Sequence, residues 1–89
     1  MMHLNIKVHG KVQGVYFRDS TKMVADQLGV KGWIRNESDG SIYIEAEGDD
    51  WILDNFLDWC EEGPERAEVQ LVEKAESEMQ NFQNFIIKK

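Results

Sequence analysis

The sequence has few of the residues that cross-linked and metal-dependent proteins need. It contains one cysteine, Cys60, and two histidines among 89 residues. A single thiol excludes an internal disulfide framework, and no group of histidine, cysteine and carboxylate residues has the spacing of a zinc site. No apolar run is long enough to span a membrane, and the first residues lack the pattern of a secretory signal. We therefore expect a protein of the cytoplasm that uses no metal and no cofactor.

Positive charge is also scarce. The net charge is −7, which argues against a nucleic-acid partner because binding to a phosphate backbone requires a basic face. The distribution is uneven, since residues 1–35 carry a net charge of +4 and residues 36–89 carry −11. A locally positive segment in an acidic protein fits a small anionic ligand better than a polyanion. At this length we expect one domain over residues 1–89, and a monomer.

Alternation of apolar and polar residues predicts four strands and a shorter fifth one. The strands cover approximately residues 4–9, 30–37, 42–47, 67–72 and 82–87. Asp39-Gly40 predicts a hairpin between the second and third strands. In the fourth strand Ala67, Val69 and Leu71 alternate toward one face, but Val72 breaks this phase, which indicates a bulge or a twist.

Two segments have the spacing of amphipathic helices. In the first, Phe17, Thr21, Val24 and Leu28 lie three or four residues apart, and Gly29 is in the position that ends a helix. The second begins at Asp49-Asp50, where either carboxylate is suited to the N-cap, and ends at Gly63-Pro64. The order β-α-β-β-α-β plus a short terminal strand predicts an α+β fold of the split βαβ type. In that arrangement an antiparallel sheet carries both helices on one face.

The loop between the first strand and the first helix has the features of an anion site. It contains Gly10 and Gly14 and leads directly into Arg18. Glycines allow backbone amides to approach a bound group closely, and the first amides of a helix have no partner within the helix. The guanidinium group of Arg18 matches phosphate oxygens. A loop with two glycines is by itself a weak signal, and a purely structural connection stays open at this point.

Asn36 is the second polar residue of interest. It shares its parity with Ile34, so its side chain is expected on the face that the helices cover, just beyond the apolar part of the strand. A buried apolar side chain would be expected at such a position, yet an amide occurs there. The alternative is that Asn36 begins the turn at Ser38-Asp39-Gly40, where asparagine is common.

Two longer segments resemble the signatures of the acylphosphatase family. The first runs from Val8 to Arg18 and reads VHGKVQGVYFR; the second runs from Leu28 to Asn36 and reads LGVKGWIRN, followed by Asp39-Gly40. The resemblance extends over essentially the whole chain. It implies an α/β sandwich of ferredoxin-like topology and hydrolysis of acyl phosphates to a carboxylate and inorganic phosphate.

The resemblance also implies roles for particular residues. Arg18 and Asn36 would be the catalytic residues, with the Arg18 side chain on the phosphate and Asn36 orienting the attacking water. The backbone amides that would cradle the phosphate belong to Gln13, Gly14, Val15, Tyr16, Phe17 and Arg18. Tyr16 stands where many members have a smaller residue, which would narrow the mouth of the site or alter the choice of acyl group. No metal site is implied.

Two other functions fit parts of the pattern. Some RNA-binding domains share the topology and stack bases on the open face of the sheet, but here that face is expected to present one aromatic residue, Tyr43, beside Glu45 and Glu47. A domain of the same fold that binds phosphate without hydrolysing anything is the other alternative.

Overall fold

A computed structural model describes all residues from Met1 to Lys89. Five strands form one sheet in the order β4-β1-β3-β2-β5. The elements are β1 (Met2–Lys11), α1 (Phe17–Leu28), β2 (Lys31–Asn36), β3 (Ile42–Gly48), α2 (Asp50–Glu62), β4 (Glu68–Ser77) and β5 (Phe85–Ile87). The predicted element order and the ferredoxin-like topology are confirmed. Neither helix is long and apolar enough to cross a membrane.

The sheet is mixed, not wholly antiparallel as the sequence predicted. β1 pairs antiparallel with β3 and with β4, and β3 pairs antiparallel with β2, but β5 lies parallel to β2. The direction of β5 follows from the path of the chain. After β4 the chain crosses from one edge of the sheet to the other at the same end, and it therefore enters β5 in the direction of β2.

The hydrophobic core lies between the sheet and the two helices. The side chains of Ile6, Val8, Ile34, Ile42 and Ile44 are completely buried on the sheet. Leu53, Phe56, Leu57 and Cys60 form the buried stripe of α2 against them. Burial of each such side chain contributes about 1.5–3 kcal/mol of transfer free energy. The alternation predicted for β1 and β3 and the stripe predicted for α2 are therefore the patterns that hold the site's elements together.

The predicted bulge in β4 is present, and it changes the orientation of one residue. His9 pairs with Leu71 and Gly10 pairs with Val69, so Gln70 is the extra residue. Leu71 was predicted to share a face with Val69, but it is 53% exposed, because the extra residue reverses the alternation. Gly10 has φ 128°, and a Cβ atom there would overlap the carbonyl oxygen of Glu68. The bulge therefore requires glycine on the partner strand.

The helix ends match the sequence signals except at one cap. Gly29 and Gly63 donate their N–H groups to the carbonyl oxygens of Ala25 and Trp59 and close α1 and α2. Asp49 occupies the N-cap position of α2, but its side chain makes no capping hydrogen bond. Its carboxylate lies 3.8 Å from the amino group of Met1 instead.

The face of the sheet opposite the helices carries two aromatic residues, not one. Trp33 packs against Tyr43 with ring centroids 5.5 Å apart. The guanidinium of Arg35 lies 5.0 Å from the Trp33 centroid, and the Lys88 ammonium lies 4.2 Å from it. Side chains alternate along a strand, so if Ile34 faces the helices, Trp33 faces the open side. The sequence therefore indicated Trp33 as a second aromatic residue on this face, although only Tyr43 was expected there.

Candidate active site

The loop between β1 and α1 presents a row of unpaired backbone donors. Residues 12–16 belong to no helix or strand, and the N–H groups of residues 13–18 donate to no acceptor in the chain. Gly14 adopts φ 74° and Tyr16 adopts φ 62°, so the backbone turns twice through the left-handed region before α1 starts. Converging amides at the N-terminus of a helix make a site of positive potential that suits an anion.

The loop is fixed by contacts on both sides. Val12, Val15 and Phe17 are 1%, 6% and 1% exposed, so three apolar side chains anchor it in the core. The Gln13 side chain donates from Nε2 to the carbonyl oxygens of Glu37, at 2.8 Å, and Ser41, at 2.9 Å. These two bonds join the loop to the hairpin between β2 and β3. The donors therefore hold their positions without a bound ligand.

Arg18 is the cation of the site. It is the second residue of α1 and is partly exposed. Its guanidinium group makes no salt bridge and no hydrogen bond within the chain, whereas Arg35 pairs with Glu37 at 3.0 Å. An unpaired guanidinium beside a row of free amides has all its donors available for an anion.

Arg18 and Asn36 line one cleft of about 360 Å³. The other residues of its lining are Val12, Gly14, Tyr16, Phe17 and Asp19. Asp19 was not anticipated from the sequence, although its place next to Arg18 in the first turn of α1 was a signal. Its carboxylate balances part of the positive potential at the mouth of the cleft.

Asn36 is the last residue of β2 and pairs with Ile42. Its Oδ1 atom is buried and has no hydrogen-bond partner, and a buried polar atom left in this way costs about 1–3 kcal/mol. The proposed role of Asn36 in the turn is wrong. The turn is closed by the Glu37 N–H on the Ser41 carbonyl, at 2.9 Å, and by the Gly40 N–H on the Glu37 carbonyl, at 3.2 Å.

The hairpin that carries Asn36 is rigid at its tip. The carboxylate of Asp39 accepts hydrogen bonds from the Ser41 hydroxyl, at 2.5 Å, and from the Ser41 N–H, at 2.9 Å. Lys7 approaches the same carboxylate at 3.0 Å. The hydrogen bonds from Ser41, followed by that from Lys7, hold the pKa of Asp39 well below its usual range. These contacts keep the end of β2 in one position relative to the loop.

No histidine, cysteine or serine lines the cleft. No group of three or more histidine, cysteine, aspartate or glutamate residues is arranged to hold a metal ion. His9 bonds Glu73 at 2.5 Å across the β1–β4 pair. Cys60 is completely buried in α2, and burial raises the pKa of its thiol. The polar groups at the cleft are the loop amides and the side chains of Arg18, Asp19 and Asn36.

Comparison with known proteins agrees with the resemblance seen in the sequence. The acylphosphatase family model matches residues 4–87. An acylphosphatase of Archaeoglobus fulgidus is 45% identical over 85 residues, which are 96% of each chain. An acylphosphatase of Thermotoga maritima is 46% identical over 88 residues, covering 99% of this chain and 98% of the other. The crystal structure of acylphosphatase from Bacillus subtilis superposes over 100% of both chains with a TM-score of 0.97 at 33% identity.

Proposed function

The chain belongs to the acylphosphatase family, and we propose that Arg18 and the loop amides bind the phosphate of its substrate while Asn36 orients the attacking water. As a member of this family it hydrolyses the anhydride bond between a carboxyl group and a phosphate in small acyl phosphates. The products are a carboxylate and inorganic phosphate. The amides in the proposal are those of Gln13, Gly14, Val15, Tyr16, Phe17 and Arg18.

The chemistry of the substrate explains why so few groups suffice. The leaving group is a carboxylate whose conjugate acid has a pKa of about 4, like that of a carboxyl side chain, so its departure needs no general acid. The loose transition state of phosphoryl transfer spreads negative charge over three equatorial oxygens. Preorganised amides and a guanidinium group stabilise that charge without reorganising. A water held in line supplies the nucleophile.

The proposal rests on one observation: hydrogen-bonding groups without partners in the chain lie together at one cleft. The guanidinium of Arg18 and the amides of residues 13–18 lack acceptors within the chain, and the buried Oδ1 of Asn36 lacks a donor. A phosphate supplies acceptors for the first set, and a water supplies a donor for the second. Asn36 also lines the cleft, and a rotation of its amide brings Oδ1 to the water, where it accepts one proton in a hydrogen bond and directs the oxygen lone pair toward phosphorus.

We further propose that residues 1–89 form a single domain that acts as a monomer in the cytoplasm, without a cofactor or a nucleic-acid partner. The match over residues 4–87 supports the single domain. The net charge of −7 opposes nucleic-acid binding. The two aromatic rings of the strands on the open face already have partners, since Arg35 lies over both Trp33 and Tyr43 and Lys88 lies over Trp33, which is 9% exposed.

The proposal is tested by hydrolysis of benzoyl phosphate in the presence of excess chelator. We expect chelator-resistant turnover by the wild type and a large loss in Arg18→Lys, because lysine keeps the charge but loses the planar fork of donors. Asn36→Ala should lower kcat more than it raises KM, whereas Arg18→Lys should affect both. Exposed residues provide the matched controls Arg66→Lys and Asn55→Ala, which should behave as wild type.

The same experiment separates the enzyme from a domain that only binds phosphate. Folded protein without turnover, whose melting temperature rises with inorganic phosphate, would replace hydrolysis by phosphate binding. Normal turnover in Arg18→Lys and Asn36→Ala would leave the family's activity in place but contradict the proposed roles of the two residues.

A further inference from the structure

Tyr16 breaks three local rules of protein structure at once. Its backbone lies in the left-handed region, with φ 62° and ψ 24°, which is uncommon for a residue with a large side chain. It occupies the N-cap of α1 but provides no capping hydrogen bond, although serine, threonine, aspartate, asparagine and glycine are preferred there. Its side chain is 72% exposed. Residues that adopt unfavourable local conformations and make no contacts that stabilise the fold are concentrated at functional sites.

The other tyrosine shows what a structural role looks like in the same protein. Tyr43 lies within a strand, donates its hydroxyl to Glu45 at 3.2 Å and packs against Trp33 with ring centroids 5.5 Å apart. Tyr16 has neither a hydrogen bond for its hydroxyl nor an aromatic neighbour. Its ring therefore contributes little to the stability of the fold, and its position has to be explained by something outside the chain.

The position of Tyr16 indicates what that partner is. Tyr16 lines the same cleft as Arg18 and Asn36, and its N–H is one of the unpaired amides of the loop. Tyr16 both lines the cleft and is 72% exposed, as expected of a residue where the cleft opens to solvent. A phosphate bound by the amides places the rest of the substrate, its acyl group, toward that opening. Tyr16 is the exposed aromatic residue of the cleft lining, since Phe17 is buried, and its ring is therefore the candidate contact for an acyl group.

We propose that Tyr16 determines specificity by stacking on the acyl group, so that the enzyme prefers aromatic acyl phosphates to short aliphatic ones. This inference rests on the proposed function of the cleft. An aromatic pair contributes a stabilisation worth about fivefold in an equilibrium constant. A methyl group such as that of acetyl phosphate has too little surface to gain from the ring. The preference should arise in binding, since the ring touches neither the phosphorus nor the water.

The test compares benzoyl phosphate with acetyl phosphate in the wild type, Tyr16→Asn and Tyr16→Phe. Asparagine tolerates the left-handed conformation and is a good N-cap, so Tyr16→Asn removes the ring without disturbing the loop. We expect the ratio of kcat/KM for benzoyl over acetyl phosphate to fall about fivefold in Tyr16→Asn, through KM for benzoyl phosphate. Tyr16→Phe keeps the ring and should keep the ratio. The inhibition constant of inorganic phosphate reports any disturbance of the loop, because the Tyr16 N–H is one of the donors proposed to bind phosphate.

Two results would overturn the inference. An unchanged ratio in Tyr16→Asn would show that the ring does not contact the acyl group. An equal loss for both substrates, with weaker inhibition by phosphate, would assign Tyr16 to the shape of the loop instead of the choice of substrate. Hydrolysis of acetyl phosphate by Tyr16→Asn shows that the site itself works, so these outcomes differ from a failure of the proposed function, in which the wild type hydrolyses neither substrate.

Discussion

Two polar sites lie on opposite faces of the sheet. The polar groups of one site are fully hydrogen-bonded, whereas those of the other have no partners in the chain. On the open face, His3 is fully buried and Glu47 is 1% exposed. Glu47 accepts the Gln80 N–H at 2.6 Å and the Phe82 N–H at 2.9 Å, and its Oε2 lies 2.7 Å from His3 Nδ1. In the cleft on the other side, the amides of residues 13–18, Arg18 and the buried Oδ1 of Asn36 have no partners.

The difference separates a structural site from the candidate active site. The carboxylate of Glu47 fastens residues 80–82 to the sheet, and Phe82 completes the contact by packing on the His3 ring, with centroids 5.6 Å apart. Every strong donor or acceptor is used, as is usual for buried groups in proteins. The cleft holds its groups in place through Gln13 and the core but leaves them unsatisfied. Fully paired polar groups therefore stabilise this fold, and the unpaired ones are available to the substrate.

Substitution of Arg18 should give the largest effect and affect activity alone. We expect Arg18→Lys to lower kcat/KM for benzoyl phosphate by about 100- to 1000-fold, the range for removal of one preorganised donor. Because Arg18 bonds nothing within the chain, the free energy of unfolding should stay within about 0.5 kcal/mol of the wild type. Initial rates and urea unfolding measure the two effects. A loss of stability as large as the loss of activity would contradict the comparison.

Substitution of Glu47 should show the reverse. Glu47→Gln should lower the free energy of unfolding by about 1–3 kcal/mol, the cost of leaving a buried polar group unsatisfied, because an amide side chain cannot accept from both backbone N–H groups and His3 together. Turnover of the folded protein at low temperature should remain within about twofold of the wild type, which corresponds to less than 0.5 kcal/mol. The exposed Glu73→Gln is the control and should cost little. A large loss of turnover in folded Glu47→Gln would mean that the two sites are coupled.

Gln13 resembles the structural site in that its side chain is hydrogen-bonded within the chain, but its hydrogen bonds hold the loop of the cleft in place. Gln13→Glu removes the donor to the carbonyl oxygens of Glu37 and Ser41 and replaces attraction by repulsion. We expect a decrease of about tenfold in kcat with a smaller change in KM, since a displaced hairpin misplaces the water more than the phosphate. Steady-state kinetics measure this, with Gln70→Glu in the exposed bulge as control. Unchanged kcat would show that the core alone positions the loop.

Low pH should reduce the stability that Glu47 contributes on the open face, and we expect this to be the smallest of the predicted effects. Burial by itself raises the pKa of Glu47, but the Gln80 amide, His3 and the Phe82 amide outweigh it and bring the pKa below 4.5. Stability from a carboxylate with a lowered pKa is present above its unfolded value and is lost as pH falls through the folded value. The stability difference between wild type and Glu47→Gln should therefore shrink as the pH falls below the ordinary pKa of glutamate, which is about 4.3.

The wild type and Glu47→Gln share the other titratable groups that face Glu47, namely His3 and Glu45. Their difference consequently removes the titration of groups distant from Glu47 and leaves that of Glu47 together with its coupling to His3. Thermal unfolding of the two proteins across this pH range is the measurement. A constant difference would show that Glu47 does not provide the pH dependence.

Local sequence patterns predicted most of this fold because each pattern depends only on the burial or the backbone conformation of the residues that form it. The alternation at Leu4, Ile6 and Val8 and the glycine at 29 needed no knowledge of distant residues. The extent of β4 to Ser77 was missed because this edge strand is exposed on most of its length and has no apolar period. The parallel direction of β5 was also missed, since it depends on where residues 78–84 cross the sheet.

The candidate site shows the same division. The loop glycines and Arg18 lie in one continuous signature, and parity alone directs Asn36 toward the helices. The bonds of Gln13 to the hairpin span 24 and 28 residues, and the pairing of His3 with Glu47 spans 44. No local preference encodes such contacts, because they exist only when strands separated in sequence become neighbours.

The strand order β4-β1-β3-β2-β5 also imposes an order on refolding. β1 leads into the loop and β2 ends at Asn36, but these two strands are not neighbours, because β3 lies between them. The cleft is complete only after β3 has paired along both of its edges. Recovery of hydrolysis during refolding therefore cannot precede the central strand pairings. The return of activity consequently measures when β3 has paired with both β1 and β2.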